Sequence, residues 1–137
     1  METKIKYHAN GNVWVETPYL NGKKHGVEKE YDENGNLRRE APYENGELNG
    51  IKKWYYENGS LKRSVQFING KKHGIDEWYY ENGELEAEVT YENGERHGIA
   101  KHYDENKNIA NISFYENDGL KEEFSKIEGC IFKRELA

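Results

Sequence analysis

Residues 50–73 read GIKKWYYENGSLKRSVQFINGKKH, and residues 74–97 read GIDEWYYENGELEAEVTYENGERH. The second stretch overlays the first at a 24-residue offset, Gly on Gly, Trp on Trp and Asn-Gly on Asn-Gly. The frame extends outward in both directions. One Asn-Gly series runs Asn21-Gly22, Asn45-Gly46, Asn69-Gly70 and Asn93-Gly94; a second runs Asn10-Gly11, Asn34-Gly35, Asn58-Gly59 and Asn82-Gly83. Tyr7, Tyr31, Tyr55, Tyr79 and Tyr103 keep the same step. A fixed period of this length denotes one small supersecondary unit that buries its apolar side chains against copies of itself.

Each unit holds two β-type runs, for example Val27 to Tyr31 and Leu37 to Tyr43, divided by Asp32-Glu33-Asn34-Gly35-Asn36. That is a hairpin signature. The second connection, from Tyr43 to Gly50, is longer and returns the chain to the next hairpin. No stretch carries helical periodicity, so the expectation is an all-β fold: a single-sheet antiparallel β-hairpin solenoid of about ten strands. The repeat array covers residues 1–118, in units 2–25, 26–49, 50–73, 74–97 and 98–118. Residues 119–137 read as a C-terminal cap, with a last strand pair around Glu128-Gly129. Punctuation fades in the fifth unit: Lys107 stands where Gly is expected, Asn117-Asp118-Gly119 reads as an insertion, and Glu123 replaces the opening glycine.

Turn type decides which side chains share a face, because a slip of one residue exchanges the two faces. A two-residue type I′ turn at Asn58-Gly59 sets Tyr56 opposite Leu61, with Trp54 on the same side. A three-residue loop ending in a left-handed glycine pairs Tyr55 with Leu61 instead. The second choice collects Ile51, Tyr55, Leu61, Val65 and Phe67, and their equivalents, on one side as the core. The other side then carries Trp54, Tyr56, Trp78 and Tyr80, bordered by Glu30, Asp32, His102 and Asp104 from the flanking units. Trp and Tyr bury large areas with few rotors, so an exposed group of them marks a binding surface. Glu86 and Glu88, placed on one strand face, extend the acidic border.

Composition narrows the function. The 137 residues carry a formal charge of −6, with a mean hydropathy of −1.17. Nucleic-acid and anionic-membrane binders need a concentrated basic face, so a protein partner with a basic surface is expected, and neither nucleic acid nor membrane. Open sheet edges offer a route to homo-oligomers. Cys130 is the lone cysteine, and no apolar run resembles a leader or a membrane span; a cytoplasmic home is the simpler expectation. His25, His73 and His97 share one repeat position, but equivalent residues lie two strands, roughly 10 Å, apart, too far for a shared metal. Their expected role is in the turns, on local backbone. No nucleophile motif or phosphate-cradling loop is present, so neither catalysis nor a cofactor is expected.

The repeats NGKKHGVEKEYDENGNLRREAPY, NGELNGIKKWYYENGSLKRSVQF and NGKKHGIDEWYYENGELEAEVTY resemble the bacterial variant of the MORN repeat over residues 7 to about 119. The variant typifies YwqK-family antitoxins. The resemblance implies a β-hairpin repeat fold and a protein that neutralises a toxin, such as an interbacterial nuclease or deaminase, by binding and occluding it. The alternative is a MORN-type scaffold or self-associating interaction module. No catalytic residues carry over.

Overall fold

The computed structural model describes the backbone of residues 1–127 and 130–133, with side chains to Phe124. The strands are β1 (Glu2–Tyr7), β2 (Val13–Leu20), β3 (Lys23–Lys24), β4 (Gly26–Tyr31), β5 (Leu37–Glu44), β6 (Glu47–Leu48) and β7 (Gly50–Tyr55). They continue as β8 (Leu61–Ile68), β9 (Lys71–Tyr79), β10 (Leu85–Glu92), β11 (Glu95–Tyr103), β12 (Ile109–Glu116), β13 (Gly119–Ile127) and β14 (Cys130–Lys133). All fourteen join one open sheet; strands pair antiparallel in chain order, with the short β3 and β6 attached to β2 and β5. Among the described residues every regular element is a strand, and no helix is long and apolar enough to cross a membrane. Glu128 and Gly129 lie outside the described residues; β13 and β14 on either side of them pair through Ile127 and Cys130.

Each unit contributes two kinds of turn, and both follow from Asn-Gly chemistry. In the first, the Gly59 amide donates to Tyr56 O, the Tyr56 amide donates to Ser60 O, and Gly59 sits at φ +89°. This is a three-residue loop closed by a left-handed glycine, and it pairs Tyr55 with Leu61 as the sequence predicts. In the second, both central residues are left-handed, Asn45 at φ +51° and Gly46 at φ +87°, the geometry of a tight type I′ turn. The connection that reads as a longer return in the sequence is therefore a two-residue turn followed by a bulge. Two residues are looped out there: Val65 pairs with Asp76, but Phe67 already pairs with Lys72.

Gly50 permits the chain to pass this bulge. It stands at φ +120°, and a Cβ there would lie 3.1 Å from the Pro42 ring. In the last unit the glycine's successor is Glu122, not Glu123, and the bulge shortens by one residue, so that Glu123 opposes Ser113. Asn117-Asp118 is likewise a substitution within a type I′ turn and not an insertion, with Asp118 at φ +68° in the glycine's place.

A second irregularity rearranges the faces. In each of the five hairpins with a three-residue loop, from β1–β2 to β11–β12, one residue just after the loop is extra: Tyr55 faces Leu61, but Trp54 faces Arg63, and Lys62 has no opposite number. Alternation therefore shifts between Leu61 and Arg63. Ile51, Tyr55 and Leu61 stay on one face, whereas Val65 and Phe67 cross to the face of Trp54. The expected common core face is thus divided. Val27, Ile51, Ile75 and Ile99 line up on the first side at 43%, 51%, 48% and 41% exposure; we call it the Ile face. The most buried residues form a row on the other, the Trp face: Thr17, Glu28, Ala41, Val65, Asp76 and Ser113.

Candidate interaction face

The row beside those buried residues decides what the molecule can offer a partner. Cross-strand pairing places Val15, Glu30, Arg39, Trp54, Arg63, Trp78, Ala87 and His102 side by side. Arg63 stands between two tryptophans. Its guanidinium carbon is 4.1 Å from the Trp78 ring centre and 4.9 Å from that of Trp54. The same guanidinium donates to both oxygens of Asp76, Nε at 3.0 Å and Nη2 at 2.8 Å. Asp76 is 2% exposed, so this charge is matched where water cannot help. Lys52 lies over the Trp54 ring at 4.7 Å. A cleft of about 200 Å³ opens between Trp54 and Trp78, lined also by Lys62 and Arg63.

Four of the ten expected site residues are brought together here. Trp54, Trp78, Glu30 and His102 share the Trp face, but the tryptophans are half-buried against cations and do not form a bare aromatic patch. Glu30 accepts from Arg39 Nε at 2.8 Å, so its charge is answered within the molecule. Glu88 belongs to the Ile face, where it accepts the Tyr103 hydroxyl and pairs across the strands with Glu77. Glu86 is the extra residue of its hairpin, so the two acids do not share a strand face.

Tyr56, Tyr80, Asp32 and Asp104 occupy one repeat position at the loop edge, and their work is internal. The Tyr56 hydroxyl donates to Tyr79 O at 2.6 Å, and that of Tyr80 donates to Tyr103 O at 2.7 Å. Partial desolvation, then the charge of Glu86, raises the pKa of both hydroxyls and keeps them donors. His8 Nε2 serves Tyr31 O in the same way. Asp32 instead caps its own loop, accepting from the Asn34 and Asn36 amides, and the orphaned Tyr55 O receives Arg38 Nε at 3.1 Å. Asp104 likewise caps its own loop through Asn106 and Asn108. A side chain of one unit thus ties down the tyrosine carbonyl of the next.

The opposite edge is tied similarly. The amides of Gly46, Gly70, Gly94 and Asp118 donate to the carbonyls of Lys24, Leu48, Lys72 and Arg96 in the turn before. On the Trp face above this edge Lys24 lies over Tyr43, Lys72 over Tyr91 and Arg96 over Tyr115. The unit with Leu48 at the cation position has Phe67 at the ring position, so both partners turn apolar together. Of the repeat-position histidines, His73 reaches across units, its Nδ1 accepting from the Asn93 amide at 3.4 Å, where local backbone is expected from the sequence.

Glu28 shows how the central row is neutralised. It accepts from Thr17 Oγ1 at 2.8 Å, Lys24 at 2.9 Å and Arg39 at 2.9 Å. Burial alone would raise its pKa, but these donors together hold the carboxyl down at about 2. On the Ile face, burial and then the Glu40 carboxylate push the Tyr55 hydroxyl up to about 12.

Arg39, Lys52, Lys62 and Arg63 are the functional candidates absent from the sequence expectation. Counting back along the strand from Arg63 to Leu61 assigns both to one face, and only the unpaired Lys62 shows otherwise.

An open sheet of stacked hairpins with an Arg–Trp row on one face defines a repeat-type interaction module. The MORN repeat variant model matches residues 3–21, 24–45, 48–69, 72–93 and 96–117, and the chain belongs to that family. No curated protein matches it.

Proposed function

We propose that this chain is a non-catalytic binding protein that holds a protein partner on its Trp face, and that the partner is a toxin neutralised by occlusion. The observation that carries the reading is Arg63 fixed between Trp54 and Trp78. Trp and Arg dominate the energetics of protein interfaces. Here they are already ordered by Asp76 and by one another, so docking forfeits little side-chain freedom. The toxin is supplied by the resemblance to YwqK-family antitoxins, and a cytoplasmic place of action accords with the lone Cys130. Such an antitoxin acts by steric block, which needs a broad rigid surface and no chemistry of its own.

The test is co-expression with the product of the adjacent reading frame in the source genome, read as growth rescue and as co-purification. Rescue that is lost in Trp54→Ala/Trp78→Ala, with the variant's circular dichroism unchanged, supports the reading. Rescue that survives the double variant removes the Trp face from it. A neighbour that is harmless when expressed alone removes the toxin.

A further inference from the structure

The net charge of −6 conceals a sorted surface. Buried carboxylates of the Trp face are already answered: Glu28 by Lys24 and Arg39, and Asp76 by Arg63. Lys4, Lys52 and Lys62 have aromatic rings beneath them, those of Tyr19, Trp54 and Tyr56. None of these three has a carboxylate within ion-pair distance among the described residues. Lys52 is further crowded by like charge: burial first, and then Arg39 and Arg63, lower its pKa. The acidic excess lies at the two edges instead. Glu33, Glu57, Glu81 and Glu105 follow one another along the loop column, and Glu44, Glu47 and Glu92 flank the opposite turns.

From this arrangement we infer that the Trp face receives an acidic polypeptide segment, laid across the strands between the two acidic edges, with one carboxylate side chain entering the Trp54–Trp78 cleft against Lys62 and Arg63. The inference rests on the Trp face being the docking surface. It reverses the basic partner that net charge alone suggests, because a partner on this face meets its cations and not the distant loops. A base-stacking nucleic acid is disfavoured by the same contacts: the rings it would need are occupied by Lys52 and Arg63. A flat anionic membrane would press its phosphates against both acidic edges.

The test uses the full chain and four probes: deca-glutamate, deca-lysine, a thymidine oligonucleotide, and vesicles of phosphatidylglycerol. Tryptophan fluorescence and fluorescence anisotropy report binding at low and at physiological salt. Deca-glutamate is expected to bind most tightly of the four and to weaken with salt. Lys52→Glu/Lys62→Glu, and Lys62→Glu alone as a milder variant, should cut that affinity by about tenfold and about threefold respectively. Deca-lysine, oligonucleotide or vesicles binding at least as well, or variants that leave deca-glutamate binding unchanged, overturn the inference. Partner capture that depends on Trp54 and Trp78 but ignores these lysine changes would sink the acidic segment and leave the docking face standing.

Discussion

Arg63 and Asp76, diagonal neighbours on adjacent strands, are joined by two parallel hydrogen bonds, one partner 2% exposed and the other clasped between indole rings. The pair couples the buried row to the aromatic row, so that stability and the candidate face depend on one guanidinium. Arg63→Ala leaves a buried carboxylate with only the Lys72 ammonium, 3.8 Å away, and should cost about 3 kcal/mol, whereas Arg63→Ala/Asp76→Ala should recover a large part of that loss. Urea titrations of the singles and the double close the cycle. A loss in the double variant equal to the sum of the two single losses would mean that the coupling is absent.

Glu28 makes stability depend on pH in one direction. Its carboxyl titrates at about 2 in the folded protein, below its ordinary value, so its contribution is fully present above the ordinary carboxylate range. It is lost as pH falls through that range toward about 2. Thermal melts at pH 6, 4 and 2 should therefore show a smaller acid-induced drop for Glu28→Gln than for the unaltered chain. A parallel pair of curves would exclude Glu28 as a source of the acid sensitivity.

The two turn types respond differently to an added methyl. Gly50→Ala places a Cβ 3.1 Å from the Pro42 ring, which must give by a few tenths of an ångström, at a φ of +120° that strains any L side chain. Gly59→Ala meets open space and only the left-handed penalty of about 1–2 kcal/mol. Gly50→Ala should be the more damaging of the two by at least about 1 kcal/mol in denaturant melts.

Lys107 holds φ +67° where the earlier loops use glycine. Lys107→Gly should raise stability by about 1 kcal/mol, net of the entropy that glycine adds to the unfolded chain. Unchanged or lowered stability would show that the Lys107–Glu84 contact at 3.5 Å contributes more than its exposure suggests.

Tyr56 tests the inter-unit tie. Tyr56→Phe removes the 2.6 Å bond to Tyr79 O and leaves that carbonyl without its side-chain donor, at a cost of about 1 kcal/mol. Hydrogen exchange should accelerate at amides of the adjoining hairpins and remain unchanged at the far end of the sheet, near β1.

The period, the hairpins and the Tyr55–Leu61 pairing were legible because Asn-Gly pairs at fixed offsets restrict the backbone to left-handed turns, and turn type fixes register. Residues beyond Leu61 were not legible. Lys62 is looped out with no glycine or proline to announce it, and the strict alternation used to read a strand fails at that one residue. The same step hid Arg39 and Arg63 from the candidate face and moved Glu88 onto it. Net charge locates no charge for a related reason: it sums loops, turns and strands that the fold sends to different places.

At each boundary a side chain of the earlier unit donates to a tyrosine carbonyl of the later one at the loop edge, while at the turn edge an amide of the later unit donates back to a carbonyl of the earlier, and these links differ little from one boundary to the next. Array length is consequently a free variable. Excising one whole period, such as residues 74–97, should leave the remaining boundaries able to rejoin, so such a chain can lengthen or shorten by gene duplication without redesign of its interior.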